Sequence, residues 1–147
     1  MVVRFEVEFN DEEVRQLAIL ARGAIRRAQE LVAQEVWGNI SREAPTDHGK
    51  LAGEWTIEAV GEMDWRIYTN TEYAAWVHDG TGIHGPRGTP IVPRTAPFLV
   101  FEFKGRIWHL RSVKGQKPNP YADRAMAKAE GRVNEFIERA MAEMGGG

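Results

Sequence analysis

Imidazole is the side chain best suited to moving protons near neutral pH, and the chain has four: His48, His78, His84 and His109. They lie far apart and show neither the HxH nor the HExxH spacing that aims two ring nitrogens at one metal. Asp47 precedes His48 and Asp79 follows His78, but adjacent side chains in a loop or strand usually diverge. The chain has no cysteine, which excludes a thiolate zinc site, a thiol nucleophile and a disulfide scaffold. Ser41 and Ser112 lack the strand–turn–helix setting of a nucleophile elbow. Gly80, Gly82, Gly85 and Gly88 could cradle an anion, yet no Gly-Lys-Ser/Thr follows them. Asp79, Gly80 and Thr81 are out of register with the Asp-Thr-Gly of an aspartic-protease loop. No catalytic residue, metal ligand or cofactor site is expected, and the sequence makes no case for an enzyme.

Charge is more informative. The net charge is −2, but between Gly80 and Pro120 seven basic residues face only Glu102, leaving that segment at +6 and the remainder at −8. The seven are Arg87, Arg94, Lys104, Arg106, Arg111, Lys114 and Lys117. A basic segment on an acidic body suits a polyanion or an acidic partner. The alternative is that folding scatters these charges in space. Trp55, Trp65, Tyr73, Trp76 and Trp108 could stack on bases. Their alternation with polar residues at strand spacing makes them core or subunit-interface residues first.

The elements that must position these groups can be read from periodicity. With 147 residues and 43% apolar content, one domain with a real core is expected. No signal-peptide core opens the chain and no apolar run approaches a membrane span, so a soluble protein with no membrane contact is expected. Residues 2–9 alternate, Val3, Phe5, Val7 and Phe9 against Arg4, Glu6 and Glu8, which predicts a half-buried strand. Asn10 or Asp11 caps a long helix over residues 11–42 with one apolar stripe. That helix is long for so small a domain, so part of its stripe is expected to be covered by another subunit. Gly23 and Gly38 are weak or close-approach points within it. Pro45 and Gly49 break it.

Residues 51–60 and 63–69 predict an antiparallel hairpin, and residues 72–78 a short helix. Residues 98–103 and 107–113 predict a second hairpin. Asn119 as cap and Pro120 as first helical residue open a C-terminal helix running to about Met144. The fold expected is α+β, one domain over residues 1–147. It has a mostly antiparallel sheet of about five strands packed against two long helices, N-terminal and C-terminal, with a long Gly/Pro-rich loop.

That loop follows YAAWVHDGTG (residues 73–82), runs on to Pro93 and spans a length that is usually functional or disordered. EAPTDHGKL (residues 43–51) precedes it and KGQKPNPYADR (residues 114–124) follows it. These three blocks, in this order and spacing, resemble the tail-completion, or minor tail component, family of long-tailed double-stranded DNA phages and prophages. The resemblance covers residues 10–144. The commonest form of the first block has Thr at the position of His48, which leaves the turn intact.

The resemblance implies structural work at the neck, where the tail tube meets head-completion proteins. It implies a homo-oligomeric ring around the DNA channel, six-fold before other symmetries, with neighbouring neck and tail-tube proteins as partners. It implies residence in the virion, after assembly in the host cytoplasm, and no catalysis, metal or cofactor. Tyr73, Trp76 and Val77 are expected to anchor the loop to the core or to a subunit. Gly80, Thr81, Gly82, His84, Arg87 and Arg94 are expected to form the assembly loop. The seven basic residues are expected to face DNA, the lumen or a partner. Gly80, Gly82 and Gly115 supply turn angles closed to other residues, and Pro118 and Pro120 fix the approach to the last helix. Removing residues 83–92 is expected to spare the fold and damage assembly. The alternative function is a sequence-independent nucleic-acid-binding module using residues 80–120.

Overall fold

The computed structural model describes residues 2, 8, 10–45 and 51–145. The strand expected over residues 2–9 and most of the turn between the first helix and Leu51, His48 included, lie outside the described residues.

Helix α1 (Asp11–Glu43) runs for 33 residues, about 50 Å at 1.5 Å per residue. Its start follows the expected capping chemistry. The Asn10 side chain accepts from the Glu13 N–H at 2.8 Å, and the Glu13 carboxylate accepts from the Asn10 N–H at 3.0 Å. It stops where Pro45 forces Ala44 into an extended conformation. A single 3-10 turn, Leu51–Gly53, leads into strand β1 (Trp55–Ala59), which pairs antiparallel with β2 (Trp65–Thr69). Helix α2 (Glu72–Asp79) follows, then a 3-10 turn at Gly82–His84. Strands β3 (Leu99–Phe103) and β4 (Arg106–Leu110) form the second hairpin, and helices α3 (Tyr121–Glu130) and α4 (Val133–Gly145) end the chain.

The α+β class is as expected; the sheet is not. Among the described residues there is no five-stranded sheet but two separate two-stranded ones, β1–β2 and β3–β4. The physical reason lies in the connection between them. Its backbone groups bond to residues 113–116 rather than to an edge of β1 or β2, so no ladder joins the hairpins. The C-terminal helix also differs. It breaks at Gly131 and Arg132 into α3 and α4, and it begins at Tyr121 with Pro120, not Asn119, in the cap position. The Asn119 side chain instead accepts from the Arg124 guanidinium at 2.7 Å.

The core gathers Ile40 and Ala44 of α1, Leu51, Ala74 and Val77 of α2, and Tyr121 and Ala125 of α3. Tyr121 is its largest buried side chain, edge-on to both Trp55 and His78. Small residues at Ala125, Ala129 and Ala140 let α3 and α4 lie close against α1. Asn39 is buried on that seam and donates to the Ala125 carbonyl at 3.2 Å, so its polarity is satisfied. The Trp37 indole N–H donates to the Trp55 carbonyl at 2.9 Å and fixes β1 to α1.

The α1 stripe is buried only in its C-terminal half, at Ala28, Leu31, Ala33 and Ile40. In its N-terminal half Leu17, Leu20 and Ile25 are each about half exposed. Gly23 is a close-approach point, where a Cβ would meet the Met144 sulfur at 3.2 Å; Gly38 faces only the Arg42 side chain.

Candidate interaction surface

The loop after α2 is strapped to the segment that precedes α3. Thr81 N–H donates to the Gln116 carbonyl at 2.9 Å, and Gln116 N–H donates back to the Thr81 hydroxyl oxygen at 2.9 Å. Ile83 N–H donates to the Lys114 carbonyl at 2.8 Å, and Ile91 and Val113 exchange bonds at 2.8 and 2.9 Å. Asn119 N–H closes the strap onto the Val77 carbonyl at 2.9 Å. The second and third sequence blocks are therefore one structural unit, and the loop's path is set by backbone hydrogen bonding.

Gly82 and Gly115 make the strap possible. Both have positive φ, 63° and 94°, and their Cα atoms cross so closely that no side chain fits. His84 is half-buried within the strap and Gly80 is buried beneath it. Arg87 and Arg94 are exposed. Residues 83 and 91 thus belong to the strap, and removing 83–92 would cut it. The exposed tip, residues 86–90, makes no backbone hydrogen bond to the 113–116 segment.

Of the three residues expected to anchor the loop to the core or to a subunit, Val77 is buried and Tyr73 packs against the core cluster. Trp76 does not: it is 56% exposed, because it lies on the opposite face of α2 from Val77 and Ala74.

The seven basic residues of the central segment are all exposed, and among the described residues none of them forms an ion pair. The body behaves oppositely. Arg22 and Arg26 of α1 both reach Glu62, Arg27 reaches Glu143 at 2.6 Å, and Arg124 and Lys128 of α3 both hold Glu43. Arg132 spans Glu35 and Glu135, each at 2.7 Å. These contacts hold the carboxyls of Glu43, Glu62, Glu135 and Glu143 below the usual range, through the hydrogen bonds from Lys128, Arg22, Arg132 and Arg27 respectively. The central cations keep their charge uncompensated.

Three of those cations sit on the β3–β4 hairpin. Arg106 lies over the Trp108 ring at 5.0 Å, Lys104 over Phe103 at 5.4 Å and Arg111 over Phe98 at 6.0 Å. Within the two strands Leu99 and Leu110, at the base, are the better covered, while Phe101 and Trp108 keep 38% and 37% of their surface exposed and Phe103 57%. Cross-strand pairing puts Leu99, Phe101, Phe103, Arg106, Trp108 and Leu110 on one face. The hairpin is an arm with an apolar face open to water.

His78 does meet its sequence neighbour, contrary to the expectation that they diverge: Nδ1 lies 2.8 Å from Asp79, and Nε2 lies 3.5 Å from Asp123. Nε2 is buried and makes no hydrogen bond. His109 is exposed on the arm and His84 is in the strap. Among the described residues no group of three or more His, Asp or Glu could hold a metal, and no helix is long and apolar enough to cross a membrane.

Sequence reasoning missed Gln116 and Val113 as partners of the loop. The signal was available in the third block itself: Gly115 demanded a close neighbour, and the loop glycines were the candidates. No family model matches the chain, and neither a curated protein nor a solved structure is significantly similar to it.

Proposed function

We propose that this chain is a structural protein of the neck or tail of a long-tailed phage, built to form a closed ring around the DNA channel and to join tail to head. Its partners are copies of itself and the neighbouring neck and tail-tube proteins, with transient, sequence-independent contact to the genome. It works in the virion after assembly in the host cytoplasm. The reading starts from the three sequence blocks. The observation that supports it best is the segregation of function-bearing groups. Seven cations without ion pairs among the described residues and an apolar arm occupy one segment, while Arg22, Arg26, Arg27, Arg124 and Arg132 of the body are each paired with a carboxylate. A monomer gains nothing from that arrangement; an assembling subunit does. Native mass measurement and electron microscopy, on the purified protein and on particles that contain it, test the reading. Closed rings of one stoichiometry are expected. A chain that stays monomeric and never enters particles overturns it.

A second reading is a sequence-independent nucleic-acid-binding module. The unpaired Lys104, Arg106 and Arg111 on aromatic faces favour it. It requires duplex binding that weakens steeply with salt and disappears when Arg87, Arg94, Lys114 and Lys117 become Ala. Absence of binding at low salt removes it.

A further inference from the structure

The last turn of α2 carries a histidine held between two carboxylates. His78 Nδ1 lies 2.8 Å from Asp79 on its own helix, and Nε2 lies 3.5 Å from Asp123 in the first turn of α3. The imidazole is three-quarters buried and stands edge-on to the buried Tyr121 ring, 5.9 Å between centroids, which restrains its plane. Both carboxylates are more than half exposed, and among the described residues neither has an ion pair other than His78. No cation competes for them. The cavity of about 450 Å³ beside the ring takes Trp55, Thr69 and Thr71 from the β1–β2 side and no Lys or Arg. Arg124, in the same turn as Asp123, is turned to Glu43 and Asn119. Tyr121 is the remaining titratable group against the ring, and burial pushes its hydroxyl up, away from the range where imidazole titrates.

A neutral imidazole has one N–H and one bare lone pair. With the proton on Nδ1 the ring donates to Asp79 and aims a lone pair toward Asp123; with the proton on Nε2 the two exchange roles. Either way one nitrogen faces an acceptor with nothing to donate. Nε2 is in that position here, buried and without a hydrogen bond, which is a costly state for a polar atom. The imidazolium donates from both nitrogens and sets one positive charge between two carboxylates. Its second bond needs only a small shift of the exposed Asp123 side chain.

We propose that His78 is a proton-operated clasp between the end of α2 and the start of α3. With both ring nitrogens protonated it ties Asp79 to Asp123; with one bare it releases Asp123. It works where imidazole changes charge, about pH 5 to 8. Because the charged ring is the one that fits the fold, the clasp adds stability at the acid end of that range and loses it as pH rises. The strap is tied in directly, since Val77 and Asn119 share a backbone hydrogen bond beside the ring and Thr81 follows three residues after it. The clasp stands whether or not the chain forms a ring. A double-mutant cycle of His78→Gln and Asp123→Asn, by urea unfolding at about pH 5.5 and about pH 8, tests it. The two changes should be coupled by about fivefold or more in the unfolding constant at the lower pH and by about twofold or less at the higher. Coupling that is equal at both, or absent at both, overturns the proposal. If His78→Gln does not fold, the parent and Asp123→Asn decide alone: their stability difference should shrink as pH rises, and a constant difference overturns the clasp. The Thr81 and Gln116 amides, bonded across the strap, should exchange faster in Asp123→Asn than in the parent at about pH 5.5. Equal exchange there overturns the link to the strap.

Discussion

Gly82 and Gly115 meet face to face across the strap. A Cβ on Gly82 would lie 2.1 Å from the Lys114 carbonyl oxygen, and one on Gly115 would lie 2.1 Å from the Thr81 carbonyl oxygen. Both obstacles are backbone, so no rotamer change relieves them, and positive φ at both sites adds its own strain. Gly82→Ala and Gly115→Ala should each destabilise the protein by about 2 kcal/mol or more. Urea unfolding measures this. A loss under about 0.5 kcal/mol for both would mean that the strap is not formed in solution.

Trp76 and Tyr121 should separate assembly from folding. Tyr121 is 1% exposed and bridges Trp55 and His78, so Tyr121→Ala should cost about 3–5 kcal/mol. Trp76→Ala should change stability by no more than about 0.5 kcal/mol, because the ring faces outward. If it contacts a neighbouring subunit, the same change should weaken oligomer formation. A large stability loss for Trp76→Ala would place that ring in the core after all.

Acid should loosen the α1–α3 seam first at Glu43. Lys128, then Arg124, hold its carboxyl below the usual value in the folded state. The folded value is therefore lower than the unfolded one, near 4.3 for an ordinary Glu. The stabilisation is complete above that unfolded value and is lost as pH falls through the lowered folded value. Glu43→Gln should be less stable than the parent at neutral pH, and the gap should close in acid. Denaturant midpoints across a pH series check this; a gap that does not change with pH refutes it. Some acid sensitivity should survive in Glu43→Gln through Glu62, Glu135 and Glu143.

Gly131 should be replaceable with a gain. It separates α3 from α4 but sits in right-handed helical backbone, φ −63° and ψ −13°, and an added Cβ would find only ordinary contacts at 3.6 Å and beyond. Gly131→Ala should stabilise by roughly 0.4–1 kcal/mol by lowering the entropy of the unfolded chain. A lower thermal midpoint in this variant would show that the break between α3 and α4 is required.

Much of the secondary structure was legible in the sequence. The Asn10–Glu13 capping box, the Pro45 stop and the two hairpins follow from caps, breakers and alternation, which act over a few residues. The break at Gly131 was less legible, because the apolar stripe continues across it from Ala129 to Val133. The 3-10 turn at Leu51–Gly53 was hidden for a related reason: Leu51 is needed in the core, and that demand comes from Tyr121 and Ala125, far along the chain. Which of Tyr73, Trp76 and Val77 faces the core was not legible, because all three are large and largely apolar and only the packing of α2 decides which side faces in.

The sequence by itself determined α1, α2 and the two hairpins, the concentration of positive charge between Gly80 and Pro120, and the glycine and proline positions that shape the central loop. All of these depend on local backbone preference or simple counting. Only the tertiary structure decided that the hairpins form two sheets rather than one, and that the loop is bonded to residues 113–116. It alone showed that Arg22, Arg26, Arg27, Arg124 and Arg132 of the body are paired while the segment's arginines are not. Those outcomes turn on which distant groups meet across α1, and that choice is made by long-range packing and backbone hydrogen bonding, which leave no periodic trace in the chain.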